Sequence, residues 1–281
     1  MRNRRWPVLL ATIVALLAPF GSPAASTLER MLEEQLRARG IRGERVLYAF
    51  RRVPRTAFVP EEARDRAYDD TALEIGHGQT ISQPYIVALM TELLDLKGDE
   101  RVLEVGTGSG YQAAILAELA KEVCTVEIVP ELAAAARLRL TRHGYRNVHV
   151  KQGDGALGWR EYAPYDAIIV TAVAPQVPRA LIEQLRDGGV LVMPIGEPAR
   201  RQVLARGVKR GGKLRTREIT EVRFVPMTGE VMRRGSVGGW RDDDVRPTPE
   251  RSSAPADSGA AQDAYPTPAR GLIEEDLGSR G

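Results

Sequence analysis

Cysteine is almost absent from this sequence, since Cys124 is the only one among 281 residues. A disulfide bond within the chain is therefore excluded. Cys124 lies in the run Val-Cys-Thr-Val-Glu-Ile, which is typical of a buried strand. We expect it to be a small, unreactive core residue.

An excess of charge of either sign is also missing. The formal net charge is +3, no block of five or six like charges occurs, and only five of the 40 basic residues are lysines. A balance this small attracts a polyanion weakly, so the composition does not favour a nucleic-acid partner. The preference for arginine fits codon usage as well as it fits a binding surface.

No apolar run is long enough to span a bilayer comfortably. The longest one, residues 8–20, follows Arg2, Arg4 and Arg5 and precedes Gly-Ser-Pro-Ala-Ala-Ser. This order is typical of a secretory signal peptide with cleavage after Ala24. We therefore predict a leader over residues 1–25, export to the periplasm or beyond, and no stable membrane insertion afterwards. The alternatives are a wrongly assigned start codon, an uncleaved anchor, or a cytoplasmic protein.

Histidine is represented only by His77, His143 and His149. No Gly-x-Ser-x-Gly surrounds Ser82, the serine nearest to His77, so a hydrolase triad is disfavoured. His77 lies in a glycine-rich segment, and we expect it to be a loop contact. The run Asp242–Asp244 falls in polar, proline-rich sequence, where a solvated loop is a better interpretation than a metal site.

What the sequence does have is regular alternation of short apolar strands and amphipathic helices. Residues 27–50 and 83–94 have helical spacing, and residues 51–72 are predicted to be loop with short helical turns. Strands are predicted at 101–106, 123–129, 148–153, 166–173 and 189–195, and helices at 110–121, 131–143 and 178–186. Two further strands, 201–209 and 214–227, flank a hairpin signal at 210–213. The pattern predicts an α/β fold with a doubly wound, mostly parallel sheet and a C-terminal antiparallel hairpin.

A glycine-rich turn follows the first strand of this alternation. Gly106, Gly108 and Gly110 stand between that strand and the next helix, where backbone N–H groups can meet a nucleotide-like ligand. Tyr111 occupies the position of the last glycine in a dinucleotide fingerprint. A tight turn without a ligand is the alternative.

Acidic residues stand at three successive strand ends, namely Glu104, Glu127 and Asp154, the last within Gly153-Asp154-Gly155. A carboxylate can accept ribose hydroxyls or pair with an amine, and one inside a core strand is costly without such a partner. This set suits a ligand with positive charge and N–H groups better than a pyrophosphate. It favours S-adenosylmethionine over a nicotinamide dinucleotide.

The signature Glu104–Gly110, with Glu127 and Gly153–Gly155, resembles the Rossmann-like class I methyltransferases. That resemblance implies a seven-stranded sheet whose last strands form an antiparallel hairpin. Base-amine methylases carry Asp/Asn-Pro-Pro-Tyr/Phe after the fourth strand, whereas residues 171–175 are Thr-Ala-Val-Ala-Pro. A base-amine methylase is therefore disfavoured.

The segment before the turn is more specific, because Ile75-Gly-His-Gly-Gln-Thr-Ile-Ser-Gln-Pro-Tyr85 resembles the signature of the protein-L-isoaspartate O-methyltransferase family. Further matches are Arg52–Arg55, Phe58–Pro60, Val170–Pro175 and Phe224–Gly229, so the resemblance runs from about residue 28 to 235. It implies methyl transfer from S-adenosylmethionine to the free carboxylate of L-isoaspartyl residues in damaged proteins, which begins repair through a succinimide.

The resemblance also implies residue roles. It places Ser82 as the residue that orients the acceptor carboxylate, with Thr80 and Ile81 lining the pocket and Thr228 reaching its cofactor side. A carboxylate is ionised at neutral pH, so it can attack the sulfonium methyl without a general base. The interpretation of Ser82 without the resemblance is a helix N-cap before Pro84.

We expect the cofactor to be held by Thr80, Ile81 and Thr228 together with the residues of the strand ends and the glycine-rich turn, namely Glu104, Gly106, Gly108, Gly110, Glu127, Asp154 and Gly155. The peptide is expected to pair its backbone with Val170–Ala174. We predict a monomer with residues 26–98 as an N-terminal helical extension carrying the acceptor loop, 99–235 as the core and 236–281 as a disordered tail. A methyltransferase for small molecules or RNA, and a non-catalytic binding module, are the alternatives.

Overall fold

The computed structural model describes residues 27–197 and 200–229. The N-terminal part begins with helix α1 (Thr27–Arg30), which continues through a π-helical turn (Met31–Leu36) and a 3₁₀ turn (Arg37–Arg39). The chain then breaks at Gly40, whose φ of 96° is left-handed, and resumes as α2 (Glu44–Arg52). Residues 27–50 are therefore helical as predicted except for a break at 40–43, where Gly40 in the left-handed conformation ends the first helical stretch.

The segment that follows contains the predicted short turns and one unpredicted element. Residues 55–58 and 61–66 form 3₁₀ turns. A two-stranded antiparallel hairpin then joins β1 (Leu73–Gly76) to β2 (Gln79–Ile81). Three successive residues with positive φ, Gly76, His77 and Gly78, close the hairpin. Helix α3 (Pro84–Leu93) follows it, with Pro84 in the first turn as predicted.

The main sheet has seven strands in the order β5-β4-β3-β6-β7-β8-β9. They are β3 (Arg101–Val105), β4 (Glu122–Glu127), β5 (Val148–Gln152), β6 (Tyr165–Val170), β7 (Leu185–Gly196), β8 (Gln202–Arg210) and β9 (Lys213–Glu221). β3 to β7 pair with one another in parallel, whereas β8 is antiparallel to both β7 and β9. The predicted doubly wound sheet with a C-terminal antiparallel hairpin is confirmed.

Of the helices between the strands, the first and the third are shorter than predicted, and the second has the predicted length, shifted by one residue. They are α4 (Tyr111–Ala117), α5 (Pro130–Arg142) and α6 (Arg179–Gln184). The last strand also ends earlier, at Glu221 instead of 227, because the chain beyond it leaves β8 and crosses the sheet edge.

The sheet has an apolar cluster on each face, and strand residues alternate between them. Along β6, Ala167 and Ile169 belong to one cluster, whereas Ile168 and Val170 belong to the other. The first cluster also contains buried residues of α2, α3 and α4, so the N-terminal part and the sheet share it. The second lies under α6. Cys124 is fully buried in the second cluster, and burial raises the pKa of its thiol to about 12, as expected for an unreactive core thiol.

Several predictions fall on residues that the structure does not describe: the leader over 1–25, the tail over 236–281 and the run Asp242–Asp244. Within 27–197 and 200–229, no helix combines the length and the apolar character needed to cross a bilayer.

Candidate active site

A cleft lies at the carboxyl ends of β3, β4 and β6, and it encloses about 600 Å³ including its open mouth. The strand order reverses beside β3, because the chain adds β4 and β5 on one side of it and then crosses to β6 on the other. The loops diverge at such a point, which is where doubly wound sheets bind ligands. Of the predicted residues, the wall includes Thr80, Gly106, Gly108, Glu127, Gly155 and Thr228.

The glycine-rich turn after β3 forms the floor of the cleft. Gly106 has a φ of 97°, and a Cβ there would lie 2.4 Å from the Thr171 hydroxyl oxygen. That hydroxyl donates a hydrogen bond to the Gly106 carbonyl over 2.8 Å. Only glycine fits this close approach. Gly110 is not on the wall, because it is the N-cap of α4 and packs against Leu140.

Glu127 ends β4 on the cleft wall and is only 5% exposed. Its Oε2 accepts a hydrogen bond from Gly108 N over 2.8 Å, and its Oε1 accepts one from Val129 N over 3.0 Å. Two main-chain donors thus fix the carboxylate, which keeps further lone pairs for a ligand's hydroxyl groups.

Glu104 lies inside β3 beneath the turn and is fully buried. Among the described residues, neither carboxylate oxygen has a hydrogen-bond partner of normal geometry. Burial raises the pKa of this carboxyl to about 8; the Thr125 hydroxyl partly offsets that rise and the charge of Glu127 adds to it. Glu104 is not itself part of the wall, whereas the next two residues, Val105 and Gly106, are. A buried, unpartnered carboxyl beside the cleft-lining residues is the feature that a ligand ammonium group would satisfy.

Asp154, in the loop after β5, caps a short turn with one carboxylate oxygen, and its predicted contact with the cofactor stays a prediction. Its Oδ1 accepts a hydrogen bond from Ala156 N over 2.9 Å and caps the short turn Gly155–Leu157. Asp154 itself is not part of the wall, whereas Gly155 is. A Cβ on Gly155 would lie 2.3 Å from Val105 Cγ1, so this glycine brings the two strand ends together.

The β1–β2 hairpin contributes Gln79 and Thr80 to the wall, and Ile81 is buried behind them. Ser82 is half-buried at the end of β2 and does not reach the wall. The N-cap of α3 is Gln83, and no side chain caps it, so the interpretation of Ser82 as an N-cap is wrong. Pro84 at the first helical position moves the cap one residue downstream of Ser82.

Residues 222–229 cross the carboxyl edge of the sheet and close one side of the cleft with Val225, Pro226, Met227 and Thr228. Val173 N donates to the Val225 carbonyl over 2.9 Å, and Met227 N donates to the Val173 carbonyl over 2.8 Å.

The main-chain groups of Val173 are therefore engaged within the chain, and the expected pairing of a peptide backbone with the rest of Val170–Ala174 stays a prediction. Both main-chain groups of Val173 are bonded within the chain. Thr171 N donates to the Val105 carbonyl, and the Ala174 carbonyl accepts from Gly196 N. Residues 225–227 of the same chain bond the main chain of Val173 at the carboxyl edge of the sheet.

The histidines are dispersed. His77 is exposed in the hairpin turn, His143 follows α5 and stacks on Phe58, and His149 lies 3.0 Å from a Glu122 carboxylate oxygen. His77 is in a loop, as expected.

Sequence reasoning missed Thr171 and the lining residues 225–227. Thr171 directly follows β6, so its place at the divergence of the loops was a usable signal. Residues 225–227 lie within the family match Phe224–Gly229, but their apolar side chains look like a continuation of β9, so they were not assigned to the cleft.

The strand order, the glycine turn and the buried acidic residues define the class: a Rossmann-like, S-adenosylmethionine-dependent methyltransferase. A family model described as protein-L-isoaspartate(D-aspartate) O-methyltransferase matches residues 26–232. The chain belongs to that family.

Relatives agree with this assignment. A protein-L-isoaspartate O-methyltransferase of Dictyoglomus turgidum is 53% identical over 223 residues, which cover 79% of this chain and 98% of the relative. One of Methanoculleus marisnigri is 52% identical over 215 residues, covering 76% and 97%. The predicted activity and cofactor are confirmed: the chain is an enzyme that transfers a methyl group from S-adenosylmethionine to isoaspartyl carboxylates.

Two solved structures are similar. A protein-L-isoaspartate O-methyltransferase superposes with a TM-score of 0.67 at 31% identity, covering 73% of this chain and 67% of the other. A Plasmodium falciparum protein of that description, in complex with S-adenosyl-L-homocysteine, superposes with a TM-score of 0.62 at 27% identity, covering 72% and 97%.

Proposed function

We propose that the cleft at the ends of β3, β4 and β6 is the place where this chain methylates isoaspartyl carboxylates. The observation that carries the assignment is Glu104, whose buried, unpartnered carboxyl calls for a cationic group beside it. Glu127 is oriented by two main-chain donors toward the same cleft. Together these carboxylates suit the ammonium and ribose groups of S-adenosylmethionine, which supplies an electrophilic methyl on its sulfonium when bound.

The glycines let the wall approach the cofactor closely. Gly106 and Gly155 stand where a Cβ would collide with Thr171 or Val105, so both strand ends offer bare backbone to the ligand. Gly108 and Thr228 complete this side of the cleft. Gly110 and Asp154 act indirectly, since they start α4 and cap the loop after β5.

The acceptor enters from the side of the β1–β2 hairpin. Its carboxylate has a pKa near 4, so it is ionised at neutral pH and the chain need not supply a general base. What the chain supplies is orientation and partial removal of water, which can contribute several kcal/mol. Ser82 is the group that would hold one carboxylate oxygen, with Thr80 and Ile81 shaping the pocket beside it.

Replacement of Ser82 by alanine tests this role. We expect kcat on an isoaspartyl peptide to fall roughly 10- to 100-fold, because orientation is lost while the charge of the acceptor is unchanged. The affinity for S-adenosylhomocysteine should stay the same. Thr71→Ala is the matched control, since its hydroxyl bonds only the neighbouring Ala72 carbonyl and should not matter. An unchanged rate in Ser82→Ala would refute the role.

Labelled S-adenosylmethionine decides between the proposal and a methyltransferase for RNA or small molecules. Label should appear as an alkali-labile ester on an isoaspartyl peptide and not on its aspartyl counterpart. Transfer to RNA instead would overturn the proposed acceptor. We further propose that the protein works outside the cytoplasm, because the family match begins at residue 26, directly after the leader-like segment. The monomer stays a prediction from the sequence.

A further inference from the structure

Arg55 is a fully buried arginine in the first short turn after α2. Its Nε donates a hydrogen bond to the Ala67 carbonyl over 2.7 Å, and its Nη2 donates one to the Ser82 carbonyl over 2.7 Å. One planar guanidinium therefore ties the end of β2 to the turn that precedes the hairpin.

No carboxylate in the described part of the chain pairs with this guanidinium. Its central carbon lies 4.9 Å from the centre of the Tyr111 ring, and Tyr111 is the first residue of α4 after Gly110. Phe50 and Phe58 contact the other sides of the ring. Arg55 thus stands between the acceptor hairpin and the helix that begins at the glycine-rich turn.

A buried cation without a carboxylate partner is expensive, and desolvation lowers the pKa of Arg55, although its interaction with Tyr111 offsets part of that fall. Residues whose only task is to fill the core are rarely charged. The Arg55 side chain instead bonds the carbonyls of Ala67 and Ser82. Ser82 is also the residue whose hydroxyl we propose to orient the acceptor carboxylate.

We infer that Arg55 is a positioning residue for methyl transfer, which fixes the Ser82 main chain so that its hydroxyl points at the acceptor carboxylate. The inference rests on the proposed role of Ser82. The alternative is a brace that stabilises the fold in general. A positioning role predicts that loss of Arg55 lowers kcat on the peptide but leaves cofactor affinity unchanged, whereas a general brace predicts that both change.

The primary variant is Arg55→Lys, which keeps the charge but loses the planar fork that reaches both carbonyls. We expect kcat on the isoaspartyl peptide to fall roughly 10-fold or more, with the S-adenosylhomocysteine Kd within about twofold of the parent. The control is Arg45→Lys, because Arg45 also bonds two carbonyls, those of Leu96 and Leu119, which follow α3 and α4 and lie outside the hairpin; Arg45 is exposed, so it controls for the loss of the planar fork and not for burial. It should keep the parent kcat.

A double-mutant cycle with Ser82→Ala separates this inference from the function on which it rests. If Arg55 acts through Ser82, adding Arg55→Lys to Ser82→Ala should lower kcat by less than twofold. Additive losses, or an equal loss in Arg45→Lys, would overturn the inference and leave the role of Ser82 intact. A Ser82→Ala variant with normal kcat would refute the role of Ser82 itself.

Should Arg55→Lys not fold, an amide-to-ester change at the 82–83 linkage carries the test. It makes the Ser82 carbonyl a weaker acceptor and leaves Arg55 in place. We expect the same selective fall in kcat, and an unchanged kcat would overturn the inference.

Discussion

At the scale of single residues, Glu104 has the strongest consequence, because its proton links ligand binding to pH. The ligand-free protein holds this proton up to about pH 8, whereas the unfolded chain releases it near 4.5. The free energy of unfolding should therefore fall as the pH rises between these values. A bound ammonium group would lower the pKa again and expel the proton.

We accordingly expect S-adenosylhomocysteine binding at pH 7 to release between roughly half a proton and one proton. Calorimetry in buffers of different ionisation enthalpy measures this number. In the Glu104→Gln variant, the buffer dependence should disappear and the affinity should weaken. Proton uptake by the parent protein would contradict the assignment of Glu104.

The position of a site residue was predictable from the sequence where the residue stands at the end of a predicted strand. Glu127 and Gly106 end parallel strands, so their meeting at one edge followed from the alternation alone. Asp154 is at the same edge, but its carboxylate turns to cap Ala156 N. Arg55 was not predictable as a positioning residue, because nothing in its neighbours reveals that it is buried beside Tyr111.

At the scale of elements, the long periodic segments were predictable and the short ones were not. The parallel strands and the C-terminal hairpin follow from apolar runs separated by helices. The β1–β2 hairpin escaped because its strands have four and three residues and mixed polarity. The last strand was extended too far, because Val222 and Phe224 keep its apolar pattern after the chain has left β8.

The loop after β5 offers a matched pair of glycines. Gly155→Ala should destabilise the fold by about 1–3 kcal/mol and weaken S-adenosylhomocysteine binding, because the new methyl group overlaps Val105 on the cleft wall. In Gly153→Ala the nearest atom, Lys151 Cε, is 3.8 Å away, so little should change. Thermal unfolding with and without ligand compares the two. Equal behaviour would contradict the close approach of the strand ends.

At the scale of the whole molecule, the acceptor hairpin and the sheet form one packed unit. The first apolar cluster takes residues from both, and a Cβ on Gly108 would lie 3.3 Å from Ile75 Cδ1 in the hairpin. The division at residues 98 and 99 stays a prediction about sequence organisation.

The compartment is also a property of the whole molecule. We expect the purified protein from its own cells to begin at Ala25 and to be found outside the cytoplasm, because the leader pattern lies wholly outside the family match. Fractionation followed by N-terminal sequencing measures both. A cytoplasmic protein that begins at Met1 would refute export.

The arginines that bond main-chain carbonyls constrain how the sequence can change. Arg45, Arg55, Arg139 and Arg206 each donate to main-chain carbonyls, so their guanidinium groups serve as permanent cross-ties between segments. Lysine has a single ammonium group and no planar fork. Drift from arginine to lysine should therefore be tolerated at exposed ion pairs such as Arg64 with Glu61 and removed by selection at the cross-ties. A scarcity of lysine that began as codon bias would in this way become fixed by the fold.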